Sequence, residues 1–166
     1  MTTANTSSIW GTLFRKPVAW HQQVASKWAK TPFFSGIPLK EIEKLSKNMH
    51  LRTFQADEYI FHNGDQGAGA AIILSGEIEI RVKKTVLAQL SEGDFFGEVS
   101  LVLDERRTAD AIALTNCELA FFLRPELEEW TQRVPHHASK LTTNLARVLA
   151  HRLLHANQLL AQRRSR

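Results

Sequence analysis

Apolar and polar positions follow two different rhythms along this chain, and the change of rhythm divides it. From residue 17, PVAWHQQVASKW places Trp20, Val24 and Trp28 four apart behind a proline suited to a first helical turn. That spacing predicts a helix with one apolar face. The turn segment TPFFSGIP follows, and Pro38 opens a second short helix, PLKEIEKLSKN. Near Met49 the period falls to two. MHLRTF, EYIFHNG, AAIILSG, EIEIRV and TVLAQL are short β-rich runs separated by turn residues. In EIEIRV, Ile78, Ile80 and Val82 point one way and Glu77, Glu79 and Arg81 the other. ADAIAL and CELAFFL add two strands, after which the helical period returns. Pro125 begins a helix of about two turns and Pro135 a longer one, where Leu141, Leu145, Leu149 and Leu153 form a row widened by Val148, Leu159 and Leu160.

This order predicts a mainly β protein with flanking helices: an antiparallel β-roll, or double-sheet jelly roll, between N-terminal helices and a C-terminal helix. The expected division is a tail and amphipathic helix over 1–32, the roll with its short flanking helices over 33–134, and the long helix with a basic tail over 135–166.

Composition narrows the class. With 166 residues and 43% hydrophobic content the chain can bury a core. Cys117 is the single cysteine, so no internal disulfide forms, and no apolar run reaches the ~18 residues of a membrane span. A soluble, cytoplasmic protein is expected, with no membrane contact. The net charge of +4 hides an asymmetry: all 17 acidic residues lie within 41–129 beside nine Lys and Arg, so the middle is acidic and both ends are basic.

One stretch carries chemistry: GDFFGEVSLVLDERRTADAIAL, residues 93–114. Gly97 lets another group approach the backbone, and the amides that follow it begin a short helical run, an arrangement suited to anions. Arg107 lies far enough beyond Glu98 for the chain to return and face it. A guanidinium with free amides suits a phosphate, whereas a carboxylate beside it suits a neutral hydroxyl donor. Phosphate and sugar held side by side would satisfy all three groups. A structural ion pair between Glu98 and Arg107 would equally explain the two side chains.

FHNGDQG with IILSGEIEI, LSEGDFFGEVSL, RRTADAIALTNCEL and RPELEEW resemble, in order, the cyclic nucleotide-binding domain of catabolite activators, cyclic-nucleotide-dependent kinases and gated channels. The resemblance implies an eight-stranded β-roll. It implies that Glu98 accepts from a ribose 2′-hydroxyl and that Arg107 pairs with the cyclic phosphate. Gly97, Val99 and Ser100 match the helix whose amides meet the phosphate, Thr108 and Ala109 the pair after the arginine, and Ile80 and Leu87 positions lining the base. It further implies that the last helix covers the base as a lid near Val148, flanked by Arg147, His151 and Arg152. Departures from the pattern are Ala56–Asp57 in place of a first-turn glycine, Ala68 and Ala71 before and within the third strand, and Asp110 where a small hydroxyl residue is common. None removes a ligand contact.

The function implied is a cyclic nucleotide sensor, with cAMP favoured over cGMP, that signals by movement of the C-terminal helix. Its output would be a protein effector or a homodimer formed through helices. A chain ending near Pro135 is expected to fold and to bind more weakly. No cofactor or metal is expected, since His151 and His155 stand one turn apart without a third ligand nearby. No nucleophile–base arrangement suggests an enzyme, and the short AQRRSR end leaves no room for a helix-turn-helix. The alternatives are a ligand-free interaction scaffold of the same fold, or a fragment of a catabolite-activator-type transcription regulator.

Overall fold

The computed structural model describes residues 20–164; the expected helix start at Pro17 and the two C-terminal residues lie outside them. Helix α1 (Trp20–Trp28), a 3-10 turn at Pro32–Phe34 and helix α2 (Leu39–Ser46) lead into eight strands. These are β1 (His50–Phe54), β2 (Tyr59–Phe61), β3 (Gly69–Ser75), β4 (Ile78–Val82), β5 (Thr85–Leu90), β6 (Phe95–Phe96), β7 (Asp110–Ala113) and β8 (Cys117–Leu123). Helices α3 (Arg124–Arg133) and α4 (Pro135–Arg164) follow. The strands pair antiparallel in two sheets of four, β1-β8-β3-β6 and β2-β7-β4-β5, which makes the expected jelly roll.

Period-two alternation sends the residues of the first sheet into two separate cores. Ala71, Ile73, Phe96 and Leu119 face the second sheet and meet Ile78, Ala111 and Ala113 inside the roll. Their neighbours Ala70, Ile72, Leu74, Phe95, Ala120 and Phe122 face outward and are covered by helices. A strand buried on both faces has no polar side to show, which is why β3 reads AAIIL without alternation.

The helical layer is built on aromatics. Trp28 stacks on Phe34 with centroids 4.4 Å apart and meets Phe122 edge-on at 5.6 Å. The Trp20, Val24, Trp28 face therefore packs within the body, Val24 and Trp28 being fully buried. The leucine row of α4 divides in two. Leu141 and Leu145 belong to this core and Leu149 packs at its edge, whereas Leu153 is 62% exposed. Between the two buried leucines, the amide of Asn144 donates to the carbonyls of Phe33 and Ser35 at 3.0 and 2.8 Å, fastening α4 to the 3-10 turn. The first half of α4 thus completes the body and is no detachable cover.

One turn explains a departure noted in the sequence. Asp57, in place of the usual glycine, adopts φ 67°, a left-handed conformation that Asp tolerates better than most residues. The Arg81/Tyr59 pair accounts for the half-buried polar face of β4: Arg81 Nη2 donates to the Tyr59 hydroxyl at 2.7 Å. No helix among the described residues is long and apolar enough to cross a membrane.

Candidate functional site

Strand β6 is only two residues long, and it delivers the chain to the site. Phe96 and Phe95 pair with Ala71 and Ile72 of β3. Gly97 then turns at φ +76°, a region where only glycine is unstrained, and a 3-10 turn occupies Glu98–Leu101. Beyond it the chain returns through residues 104–109 along the β2–β3 loop. Arg107 N–H donates to Asp65 O at 2.7 Å, and the Arg107 carbonyl accepts from Gly64 N–H at 2.8 Å. The loop FHNGDQG thereby fixes the backbone of Arg107 on both sides.

The guanidinium of Arg107 is surrounded by neutral acceptors. Nη1 donates to Ser100 Oγ at 3.0 Å and Gly97 O at 3.4 Å, and Nη2 donates to Gly69 O at 2.9 Å. Its carbon lies 4.2 Å from the centroid of the Phe61 ring, close enough for cation–π attraction. Burial lowers its pKa from the ordinary arginine value, opposed by the fields of Glu98 and Asp65. No carboxylate among the described residues lies within 4.0 Å of it. A positioned cation backed by neutral oxygens and lacking a counter-ion is an anion site in electrostatic terms.

Glu98 is buried, at 5% exposure, and its partner is not Arg107. Arg152 of α4 reaches it, with Nη1 2.5 Å from Oε1. The same guanidinium donates through Nη2 to Phe95 O at 2.8 Å and lies 5.1 Å from the Phe95 ring centroid. The ion-pair reading of the Glu98/Arg107 motif is therefore replaced by two separate arrangements. One is an arginine without a carboxylate, the other a carboxylate held by a residue of the last helix.

The remaining expected residues are placed less closely together. Ser100 is buried against Arg107, Val99 and Thr108 are exposed, and Ala109 is buried just before β7. Ile80 is half-buried and pairs with Ala88 and Ala111, while Leu87 falls at the bulge between β4 and β5 and is 55% exposed. Of the expected lid residues, only Arg152 touches the buried carboxylate; Arg147 instead lies against the Asn144 side chain. Val148 and His151 line a groove of about 690 Å³ together with Lys27, Thr31, Phe95 and Arg152. This groove shares Phe95 and Arg152 with the site but lies apart from Arg107.

Arg124, the first residue of α3, opens the RPELEEW run of the resemblance but takes no role from it. Its Nε donates to Ser100 O at 3.0 Å, and Nη2 donates to Gly67 O and Asp104 at 2.8 and 2.9 Å. It ties α3 to both arms of the site. The only signal in the sequence was an arginine directly before Pro125, where attention falls on the proline.

Comparison with known proteins decides the family. The family model for the cyclic nucleotide-binding domain matches residues 51–133. The chain belongs to this family. A cyclic AMP receptor protein of Thermus thermophilus is 30% identical over 132 residues, covering 76% of this chain and 59% of the relative. The crystal structure of the Thermus thermophilus catabolite activator protein superposes with a TM-score of 0.71 at 29% identity, over 80% of this chain and 62% of that one. Glutaminase 1 of Bradyrhizobium diazoefficiens is also 30% identical over 132 residues, 78% of this chain but 21% of the enzyme. The chain thus spans less than two thirds of the curated relatives it matches. As a cyclic nucleotide-binding domain it has the family's fold, with the matched region running from β1 to the end of α3.

Gly97 is the position in this cyclic nucleotide-binding domain where an added methyl group would press directly on Arg107. A Cβ there would lie 2.6 Å from Arg107 Nη1 on a backbone at φ +76°. Gly97→Ala is expected to weaken cyclic nucleotide binding about tenfold or more, given a left-handed penalty of about 1–2 kcal/mol and a displaced guanidinium. Calorimetric titration alongside a thermal melt would check that the loss is local.

Proposed function

We propose that this chain is a cyclic nucleotide sensor that binds a 3′,5′-cyclic mononucleotide without a metal, cAMP ahead of cGMP, and reports occupancy through α4. The observation that carries the reading is the state of Arg107. It is held by Gly69, Gly97 and Ser100, which are neutral, with no carboxylate within ion-pair distance among the described residues. A singly charged cyclic phosphate matches one guanidinium at a glycine turn. Glu98, buried beside it, suits a ribose hydroxyl as donor.

The preference for cAMP draws on the relative's name as a cyclic AMP receptor protein. Thr108 leaves room for cGMP, since a threonine after the arginine can hydrogen-bond the guanine amino group. The role is regulatory and not catalytic, and its output is a partner protein or a second copy meeting the outer part of α4. Leu153 and Leu154, 62% and 59% exposed, support that contact.

Isothermal titration without divalent metal tests the reading. cAMP is expected to bind far more tightly than the linear 5′-monophosphate, which carries extra charge and the wrong phosphate geometry for one arginine. Equal affinity for cAMP and AMP, or no binding of either cyclic nucleotide, sinks it.

A further inference from the structure

We infer that Arg152 competes with the nucleotide for Glu98, so that ligand binding must displace this arginine and thereby unfasten the outer part of α4. The inference rests on the cyclic nucleotide reading and adds to it a rule for how occupancy reaches the helix.

Glu98 is one carboxylate at 5% exposure, and Arg152 already lies 2.5 Å from its Oε1. A ribose hydroxyl seeking the same acceptor meets a charged donor in place. A hydroxyl and a guanidinium can both hydrogen-bond the carboxylate, but only the guanidinium adds the attraction of a full charge, so the hydroxyl alone does not win the exchange. The phosphate tips the balance, because Arg107 offers it a cation that no carboxylate neutralises. Arg152 can leave at modest cost, since its side chain is 43% exposed and water receives its charge.

The two parts of α4 are held in different ways. Leu141, Asn144 and Leu145 anchor the first part in the helical core and to the carbonyls of Phe33 and Ser35. From Ala150 to Gln158 every side chain is exposed, so apolar burial contributes little to holding this part against the roll. Arg152 fastens it instead, through Glu98, the Phe95 carbonyl and the Phe95 ring. Breaking these contacts releases the outer helix while the core stays closed.

Calorimetry with cAMP on the full chain, on Arg152→Ala and on Arg152→Lys tests this, with hydrogen exchange on each. Removing the competitor is expected to tighten cAMP binding about two- to fivefold, the scale of a half-exposed ion pair, with Arg152→Lys between. Residues 150–158 should exchange faster in Arg152→Ala, and faster in the unaltered chain once cAMP is added. Unchanged or weaker binding by Arg152→Ala, with the unaltered chain still binding cAMP, overturns the competition and leaves the sensor reading standing. If the unaltered chain binds neither cAMP nor cGMP, the sensor reading falls and this inference with it. Arg152→Ala leaves the buried Glu98 carboxylate without its cation, so a lowered melting temperature is expected for it and a smaller drop for Arg152→Lys, with the protein still folded at the temperature of the titration.

Discussion

Replacing Arg107 by alanine is expected to cost about 2–5 kcal/mol of cyclic nucleotide binding, roughly a thirty- to several-thousand-fold loss of affinity. The range follows from removing one member of a charge pair. Arg124 also touches Ser100, but it is spent on Ser100 O, Gly67 O and Asp104, and Arg152 is held by Glu98 and Phe95 O. The fold should feel the change as well. Arg107 donates to Ser100, Gly97 and Gly69 and covers Phe61, so about 1–2 kcal/mol of stability should go with it. Arg106→Ala is the matched control: that side chain is exposed and makes one hydrogen bond, to Gly64 O at 2.7 Å. Titration calorimetry reads the binding loss, and a urea melt reads the stability. Should Arg107→Ala unfold the protein outright, the arginine's main role is structural.

The second large effect concerns the length of chain the fold requires. A chain ending at Pro135 is expected to lose cooperative unfolding, whereas one ending at Ala150 should keep it. The shorter chain lacks Leu141 and Leu145, 2% and 4% exposed, and the Asn144 amide that satisfies two carbonyls of the 3-10 turn. Deleting one buried leucine side chain costs about 2–5 kcal/mol, and two together approach the ~5–15 kcal/mol by which a domain is stable. Phe33, Phe34 and Trp28 would also be uncovered. Circular dichroism melts of the two truncated chains separate the cases. A sharp transition for the chain ending at Pro135 would restore the view of α4 as a cover laid on a self-sufficient roll.

That view came from reading the leucine row as one unit. Leu141, Leu145, Leu149 and Leu153 share a helical face, but helical spacing says nothing about where the neighbouring body stops. It stops at Leu149. The strands were more legible, because a half-buried strand such as β4 alternates and its turns carry glycine or charged residues. β6 was not, since two residues cannot show a period and Phe95 and Phe96 read as part of the glycine turn.

Glu98 and Arg107 stood out because a carboxylate and an arginine flank the same glycine motif. Their true partners did not. Ser100, Gly69 and Phe61 hold Arg107 with a hydroxyl, a carbonyl and a ring, groups too common to signal a role. The resemblance makes Arg152 only a lid residue near the base, and nothing in its local sequence marks it as the residue that reaches Glu98 across the fold.

Strand β6 deserves a mechanical reading. Its two rings sit on opposite sides of one sheet, Phe96 in the core of the roll and Phe95 in the helical core, beneath Arg152. They are joined by a single peptide bond and followed at once by Gly97. The strand behaves like a rivet driven through a plate, with its tail at the binding turn. A shift of Gly97 acts on the two residues before it, and these have their rings in different cores. Among the strands that reach both cores, β6 is the one that ends at the glycine turn, so the turn is a handle on the roll and the helical layer together.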